Sequence, residues 1–233
     1  MTFSGLLSVL GNHWYIAVVA ALIAYLLGSI NTAVIVTKIV TKGKGDIREM
    51  GSKNAGFTNV LRSVGKVPAI FTIVCDFLKS IVAVFVGGIL FSLMDAGSLD
   101  AGYLINIGKY ICGFLCILGH SYPVYFHFKG GKGIVTAAGM MLVLDWRVFL
   151  MILGTFLIMF IITKIISLAD IVCAALFGVY TFILTKLIDN SDFVYVAFCT
   201  ALAFGIGVFV IIKHKDNIKR LIKGEEKKIT AKK

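Results

Sequence analysis

Long apolar runs alternate along the chain with short segments rich in Gly, Ser, Lys and Arg. The runs are continuous, without the apolar–polar alternation of a lipid-facing strand, so each reads as a helix. The pattern predicts helices over about 14–37, 67–93, 102–118, 133–145, 147–163, 170–187 and 193–212. Roughly 20 residues per helix cross about 30 Å of hydrocarbon. The pieces 133–145 and 147–163 are short and parted only by Asp145-Trp146-Arg147, which leaves two readings, a pair of spans or one bent or re-entrant element. The expected fold is an all-α integral membrane protein with about seven transmembrane helices. Residues 1–212 form one polytopic domain in this reading, and 213–233 a basic tail.

Composition rules out a soluble alternative: 59% of residues are hydrophobic, 15% are charged and mean hydropathy is +0.96, more apolar side chain than a soluble core of 233 residues can hide. The formal charge of +11 is unevenly placed. With the N-terminus out and the C-terminus in, segments 38–66, 119–132 and 164–169 and the tail from Lys213 to Lys233 carry nearly all bases, and only Lys109, Arg147 and Lys186 lie near outer ends. That asymmetry is the positive-inside bias. Bases confined to short loops between spans suit anionic lipid headgroups and phosphorylated small molecules, not nucleic acid. Cys75, Cys112, Cys116, Cys173 and Cys199 fall inside apolar runs and read as small core residues. The opening residues lack a positive n-region and a cleavage site, so the first long span is expected to direct insertion.

Three inward segments hold the candidate chemistry. In 46–62, Gly51 and Gly56 permit close backbone approach to an oxyanion, Ser52 and Thr58 add hydroxyl donors, and the following helix would add its positive end. A solvated turn carrying positive-inside charge explains the same composition. In 118–133, Gly130, Gly131 and Gly133 with Lys129 and Lys132 again precede a helix, without the spacing of a Walker loop. In the tail, His214 and Asn217 are three apart and would share a helix face, although an interfacial amphipathic helix fits its other bases. These clusters are expected to meet at one membrane face.

Absences narrow the chemistry. No His is followed five positions later by Asp, which removes the His-x4-Asp acyltransferase signature; no paired carboxylates suit magnesium–diphosphate chemistry, so a metal is not expected, and no cofactor is expected either. Asp76 and Lys79, at i and i+3 within a span, read as a structural ion pair.

Together Gly28-Ser29-Ile30, GSKNAGFTNVLR at 51–62, Asp76 to Lys79, LGHSYPVYFHFKGGKG at 118–133, Ile166-Ser167-Leu168-Ala169 and the HKDNIKRL tail resemble the PlsY family, membrane acyltransferases of bacteria. The resemblance implies seven helices and transfer of a fatty acyl group from acyl phosphate to glycerol 3-phosphate at the cytoplasmic (inner) membrane. It places Ser52 and Arg62 in a first functional loop and Gly130 to Gly133 in a phosphate-binding motif. His214 and Asn217 fall at the glycerol phosphate site. Gly51, Asn54, Thr58, Asn59, Lys129, Lys132, Lys164 and Ser167 join the phosphate-binding set. The chain departs from the family at Lys53, Ala55, Phe57 and Lys164; the last keeps charge but lacks the fork of arginine.

In the mechanism this suggests, Lys129, Lys132, Arg62 and the backbone N–H groups of 130–133 hold the acyl-phosphate head. The hydroxyl proton passes to a phosphate oxygen or to His120, which the sequence leaves open. Expected partners are the two substrates, membrane lipids and the enzyme that forms acyl phosphate. A transporter or lipid-binding scaffold, or an acyltransferase using acyl-carrier protein directly, are the alternatives.

Overall fold

The computed structural model describes residues 2–97 and 99–229, so Lys232 and Lys233 of the expected basic tail lie outside the described residues. Two compact units divide the chain, the first ending at Leu144 and the second beginning at Asp145, and the described residues of both fold into helices without strands.

The first unit contains α1 (Phe3–Asn12), α2 (Trp14–Ser29), α3 (Thr32–Val40), α4 (Phe57–Ser63), α5 (Lys66–Ser92), α6 (Ala101–Ser121) and α7 (Ile134–Leu144). In the second are α8 (Trp146–Thr163), α9 (Ile166–Phe182) with a π-helical extension Ile183–Ile188, α10 (Phe193–Lys213) and α11 (Lys215–Ile222). Six stretches among the described residues are long and apolar enough to cross a membrane: Trp14–Val40, Lys66–Ser92, Ala101–Phe126, Trp146–Thr163, Ile166–Ile188 and Phe193–Lys213. The segment expected over 133–145 is α7, whose 11 residues rise about 16 Å, roughly half the hydrocarbon thickness. It is a helix distinct from α8, because Asp145 takes extended backbone and its carboxylate accepts from the Arg147 N–H at 2.9 Å, capping α8.

The first span is not the continuous helix its hydropathy predicts. Ile30 leaves helical geometry with ψ 98, and the Asn31 side chain accepts from the Val34 N–H at 3.1 Å to start α3. The break frees the Ile30 carbonyl, which accepts from Lys79 Nζ at 2.8 Å. A Cβ on Gly28 would stand 2.1 Å from the Cys116 carbonyl oxygen, so α2 and α6 pack backbone to backbone there and only glycine fits.

α5 shows how sequence sets orientation. Its exposed face carries Val67, Ile70, Phe71, Val74, Leu78, Val82, Phe85 and Ile89, large apolar side chains at helical spacing. Its buried face carries Ala69, Thr72, Asp76, Lys79, Ser80, Ala83, Gly87 and Gly88, mostly small or polar, with Val84 and Phe91 the larger apolar residues among them. In a soluble helix the two would be reversed; here the large residues meet lipid and the small ones admit α2, α6 and α7 closely. Four of the five cysteines are buried as expected, but Cys75 lies on the exposed side of α5.

In the second unit α9 packs against both α8 and α10. Arg147, at the start of α8, holds Asp145 and also forks onto Asp189 beyond the π turn at 2.8 and 2.7 Å. This charge-assisted clasp ties the start of α8 to the end of the α9 rod.

Candidate functional site

In the first unit the loop 41–56 is folded around Asn59, the third residue of α4. Asn59 is buried; the two N–H groups of its Nδ2 are shared among the carbonyls of Ile47, Met50 and Asn54 at 2.9–3.1 Å, and its Oδ1 accepts from the Ser52 N–H and Ser63 Oγ. Asn59 is therefore a loop organiser and has no free donor for substrate, which corrects its expected phosphate-binding role. Gly51 serves the same construction: its φ is +52 and a Cβ would sit 2.4 Å from Asn59 Oδ1. The Ser52 N–H is likewise taken, leaving its exposed hydroxyl. Asn54 and Thr58 are half-buried, and Arg62 is exposed on the last turn of α4. α4 has only seven residues, so the long helix dipole expected behind this loop begins instead at Lys66.

Arg48 joins this loop to the second one. Its guanidinium chelates Asp46 and donates to the Phe126 carbonyl at 2.8 Å, with Cζ 5.9 Å from the Phe126 ring centroid. The hydrogen bonds from Arg48 hold the Asp46 carboxyl below its ordinary value despite burial, which opposes the shift, so the pair is ionised at neutral pH. From α2, Tyr25 donates its hydroxyl to the Tyr122 carbonyl at 2.7 Å and fixes the other end of the second loop. Between these anchors His127 and Phe128 both adopt left-handed backbone, φ 55 and 58, to turn the chain into Lys129 and the glycines.

The glycine turn rests directly on α6 and the first loop. Gly131 donates its N–H to the His120 carbonyl at 3.1 Å, so that N–H is not available to an anion, a second correction to the expected cradle. A Cβ on Gly131 would lie 2.1 Å from His120 Nε2 and 2.6 Å from the Ala55 carbonyl oxygen. Gly133 has φ +84. Lys129 is exposed, Lys132 and Gly130 are half-buried and Gly131, Gly133 and His120 are buried. Two of the three expected clusters are thus joined: the basic loop, the glycine turn and His120 form one surface.

In the second unit, His214 caps α10 and is 1% exposed. Its Nδ1 lies 2.8 Å from the Val210 carbonyl, which can only accept, so the proton is on Nδ1. Nε2 stands 3.5 Å from Asp170 Oδ2 of α9. One turn earlier on α9, Ser167 donates to Glu226 Oε1 at 2.8 Å; Asn217 Nδ2 reaches the same oxygen at 2.7 Å and Arg220 Nε meets Oε2 at 2.6 Å. Burial would raise the Glu226 carboxyl, but the bonds from Arg220, Ser167 and Asn217 outweigh it and hold the group below its ordinary value. Lys164 is exposed in a left-handed cap, and its carbonyl accepts from the Ile229 N–H at 2.8 Å, so the tail returns along the start of α9. Ser167 and Asn217 thus meet on Glu226, and His214 stands beside Asp170 of the same helix as Ser167; the side chain of Lys164 stands over Phe160.

Sequence reasoning missed Arg48, Asp170 and Glu226. Glu226 had one visible signal, an acid in a basic tail just after Gly224, whose φ of +71 ends α11 and turns the chain back. Glu226→Ala should release Asn217 and Arg220, lowering activity about 10-fold and opening Lys219 and Arg220 to trypsin. Because the carboxyl of Glu226 lies lower in the folded protein, its contribution is present above the ordinary value of 4.5 and disappears as pH falls through the folded value. The same release should therefore appear in the wild-type protein held at a pH below that range, read as faster amide hydrogen exchange over residues 215–222.

The family profile described as glycerol-3-phosphate acyltransferase matches residues 18–224. A Clostridioides difficile (strain 630) protein named glycerol-3-phosphate acyltransferase is 38% identical over 220 residues, 93% of this chain and 97% of that one. One of the same name from Shewanella woodyi is 39% identical over 210 residues, 90% of this chain and 92% of the relative. Among solved structures, PlsY (YgiH), an integral membrane glycerol 3-phosphate acyltransferase in its glycerol 3-phosphate form, is similar with a TM-score of 0.73 and 30% identity, covering 92% of this chain and 96% of that one. Its lysophosphatidic acid form gives a TM-score of 0.70 at 29% identity, over 92% of this chain and 95% of that one.

Proposed function

Because the chain belongs to the glycerol-3-phosphate acyltransferase family, we propose that it moves a fatty acyl group from acyl phosphate to the sn-1 hydroxyl of glycerol 3-phosphate, giving lysophosphatidic acid and inorganic phosphate. This would be the first acylation of bacterial phospholipid synthesis, at the cytoplasmic face of the inner membrane. The observation that carries the reading is the seating of the glycine turn, with Lys129 and Lys132, against the Arg48-anchored basic loop and over His120. Such a surface suits the head of an acyl phosphate, two oxyanions on a small group at the membrane boundary, better than it suits a neutral thioester.

Acyl phosphate is a mixed anhydride, so the reaction needs little activation beyond holding charge. The hydroxyl oxygen of glycerol 3-phosphate attacks the acyl carbon, the bond from that carbon to the bridging oxygen breaks, and phosphate leaves with the electron pair. The hydroxyl proton ends on a phosphate oxygen, directly or through a side chain. Lys129, Lys132, Arg62 and the Ser52 hydroxyl hold the phosphoryl group and stabilise charge on the leaving oxygen. His214 and Asn217, with Ser167 and Lys164, hold and orient glycerol 3-phosphate, Ser167 and Asn217 exchanging their bonds to the Glu226 carboxylate for bonds to the substrate. The enzyme that forms acyl phosphate is a candidate partner.

The test is donor choice. Purified protein in lipid should make lysophosphatidic acid from glycerol 3-phosphate and acyl phosphate at least about 100-fold faster than from acyl-carrier protein or acyl-CoA. Equal or faster transfer from acyl-carrier protein would replace this reading, and no product from any donor would favour a transporter or lipid-binding scaffold.

A further inference from the structure

The second loop docks into the first through the Phe126 ring. Tyr122, Tyr125 and Phe128 are exposed, whereas Phe126 is half-buried and packs against the apolar cluster of Ala33, Val34, Ile47, Ala55, Val60 and Ala69. Ile47, wholly buried in that cluster, is flanked by Asp46 and Arg48, so the ion pair stands beside the ring. Arg48 Nη1 donates to the Phe126 carbonyl at 2.8 Å. Its Nε–Nη2 edge, the side of a guanidinium that grips an oxyanion in two places, is spent on the Asp46 carboxylate at 2.6–3.1 Å. The Phe126 carbonyl also accepts from the Lys129 N–H at 3.2 Å and so closes a turn whose central residues, His127 and Phe128, both have left-handed φ. Residues other than glycine keep that backbone only where their surroundings hold it.

We infer that Asp46 and Arg48 are positioning residues that latch Phe126 into the first loop, and thereby set where Lys129 and the glycine turn stand relative to Ser52 and Arg62. The inference rests on the acyl-phosphate reading above, in which side chains from these two loops hold one phosphoryl group, and it takes Arg48 itself out of that group of ligands. The rival role makes Arg48 one more cation of the phosphate site, restrained by Asp46 until substrate arrives. The two roles differ in sign at Asp46. Removing the acid frees the guanidinium and makes the loop more positive, which tightens phosphate binding if Arg48 is a ligand and weakens it if the pair is a latch. They differ again at Arg48→Lys. That change keeps the charge but replaces a planar fork with a compact ammonium, which cannot chelate Asp46 in two places and still span to the Phe126 carbonyl.

Kinetics with each substrate varied in turn, on lipid-reconstituted protein, separate the two roles. Asp46→Asn, which is isosteric, should raise the KM for acyl phosphate about 10-fold and leave the KM for glycerol 3-phosphate within about 2-fold of wild type. Arg48→Lys should match it, and the double variant should be no worse than the poorer single, because a latch is lost only once. A lowered or unchanged KM for acyl phosphate in Asp46→Asn, wild-type kinetics in Arg48→Lys, or losses that multiply would each overturn the inference. Amide hydrogen exchange reads the latch without turnover: residues 126–133 should exchange at least about 10-fold faster in Asp46→Asn than in wild type, and unchanged exchange would overturn it. Should Arg48→Lys not fold, the isosteric Asp46→Asn decides. If the wild-type protein makes no product from acyl phosphate, that reading falls and the exchange measurement alone judges the latch.

Discussion

Gly131→Ala should lower acyl transfer by at least about 100-fold while leaving insertion into the membrane unchanged. The added methyl would stand 2.1 Å from His120 Nε2 and 2.6 Å from the Ala55 carbonyl oxygen, and neither can retreat. His120 is tethered through Lys79 to Asp76, and Ala55 is wholly buried in the apolar cluster of Ala33, Val34, Ile47, Val60 and Ala69. The turn must therefore lift, carrying Lys132 away from the basic loop. Gly154→Ala is the matched control, because a Cβ there meets nothing within 4 Å; it should leave activity unchanged and help its helix by about 1 kcal/mol. Rates for acyl phosphate, with expression followed by detergent-resistant size exclusion, separate the two. A Gly131→Ala enzyme within a few-fold of wild type would show that the turn does not touch substrate.

His214→Ala should reduce turnover about 100- to 1,000-fold, with the larger part of the loss in handling of glycerol 3-phosphate. The ring is almost wholly buried, and its Nδ1–H is fixed on the Val210 carbonyl at 2.8 Å, so Nε2 is held in one direction. A side chain oriented so firmly, with its other nitrogen bare of a proton in the neutral ring, is placed to accept from a hydroxyl rather than to fill space. Steady-state kinetics with each substrate varied in turn check the claim. An unchanged KM for glycerol 3-phosphate together with a wild-type rate would remove His214 from the site.

Hydropathy made the spans legible because lipid imposes one requirement, about 20 apolar residues, that each run meets or misses by itself. The break at Ile30 and Asn31 was not legible, since apolar residues continue past it; only an asparagine that could cap a new helix marked the place. The short α7 was visible as a short run, but not that it ends against an Asp145 cap. At the site, sequence singled out the glycines, bases and His214 because their types and order are unusual. It could not separate Asn59, whose hydrogen bonds all turn inward, from Asn54, which has the same side chain five residues earlier. Roles set by contacts between distant segments, such as Arg48 with Phe126 or Glu226 with Ser167, carry no periodic signal and emerge only when the chain has folded.

The central claim is that the acyl donor is a phosphate anhydride whose phosphoryl group this protein holds and releases. The most direct measurement is product stoichiometry with purified, lipid-reconstituted protein, reading inorganic phosphate and lysophosphatidic acid in the same reaction. One phosphate should appear for each lysophosphatidic acid formed, and both should vanish together in Gly131→Ala. Lysophosphatidic acid formed without matching phosphate, or phosphate released at the same rate without glycerol 3-phosphate, would contradict it.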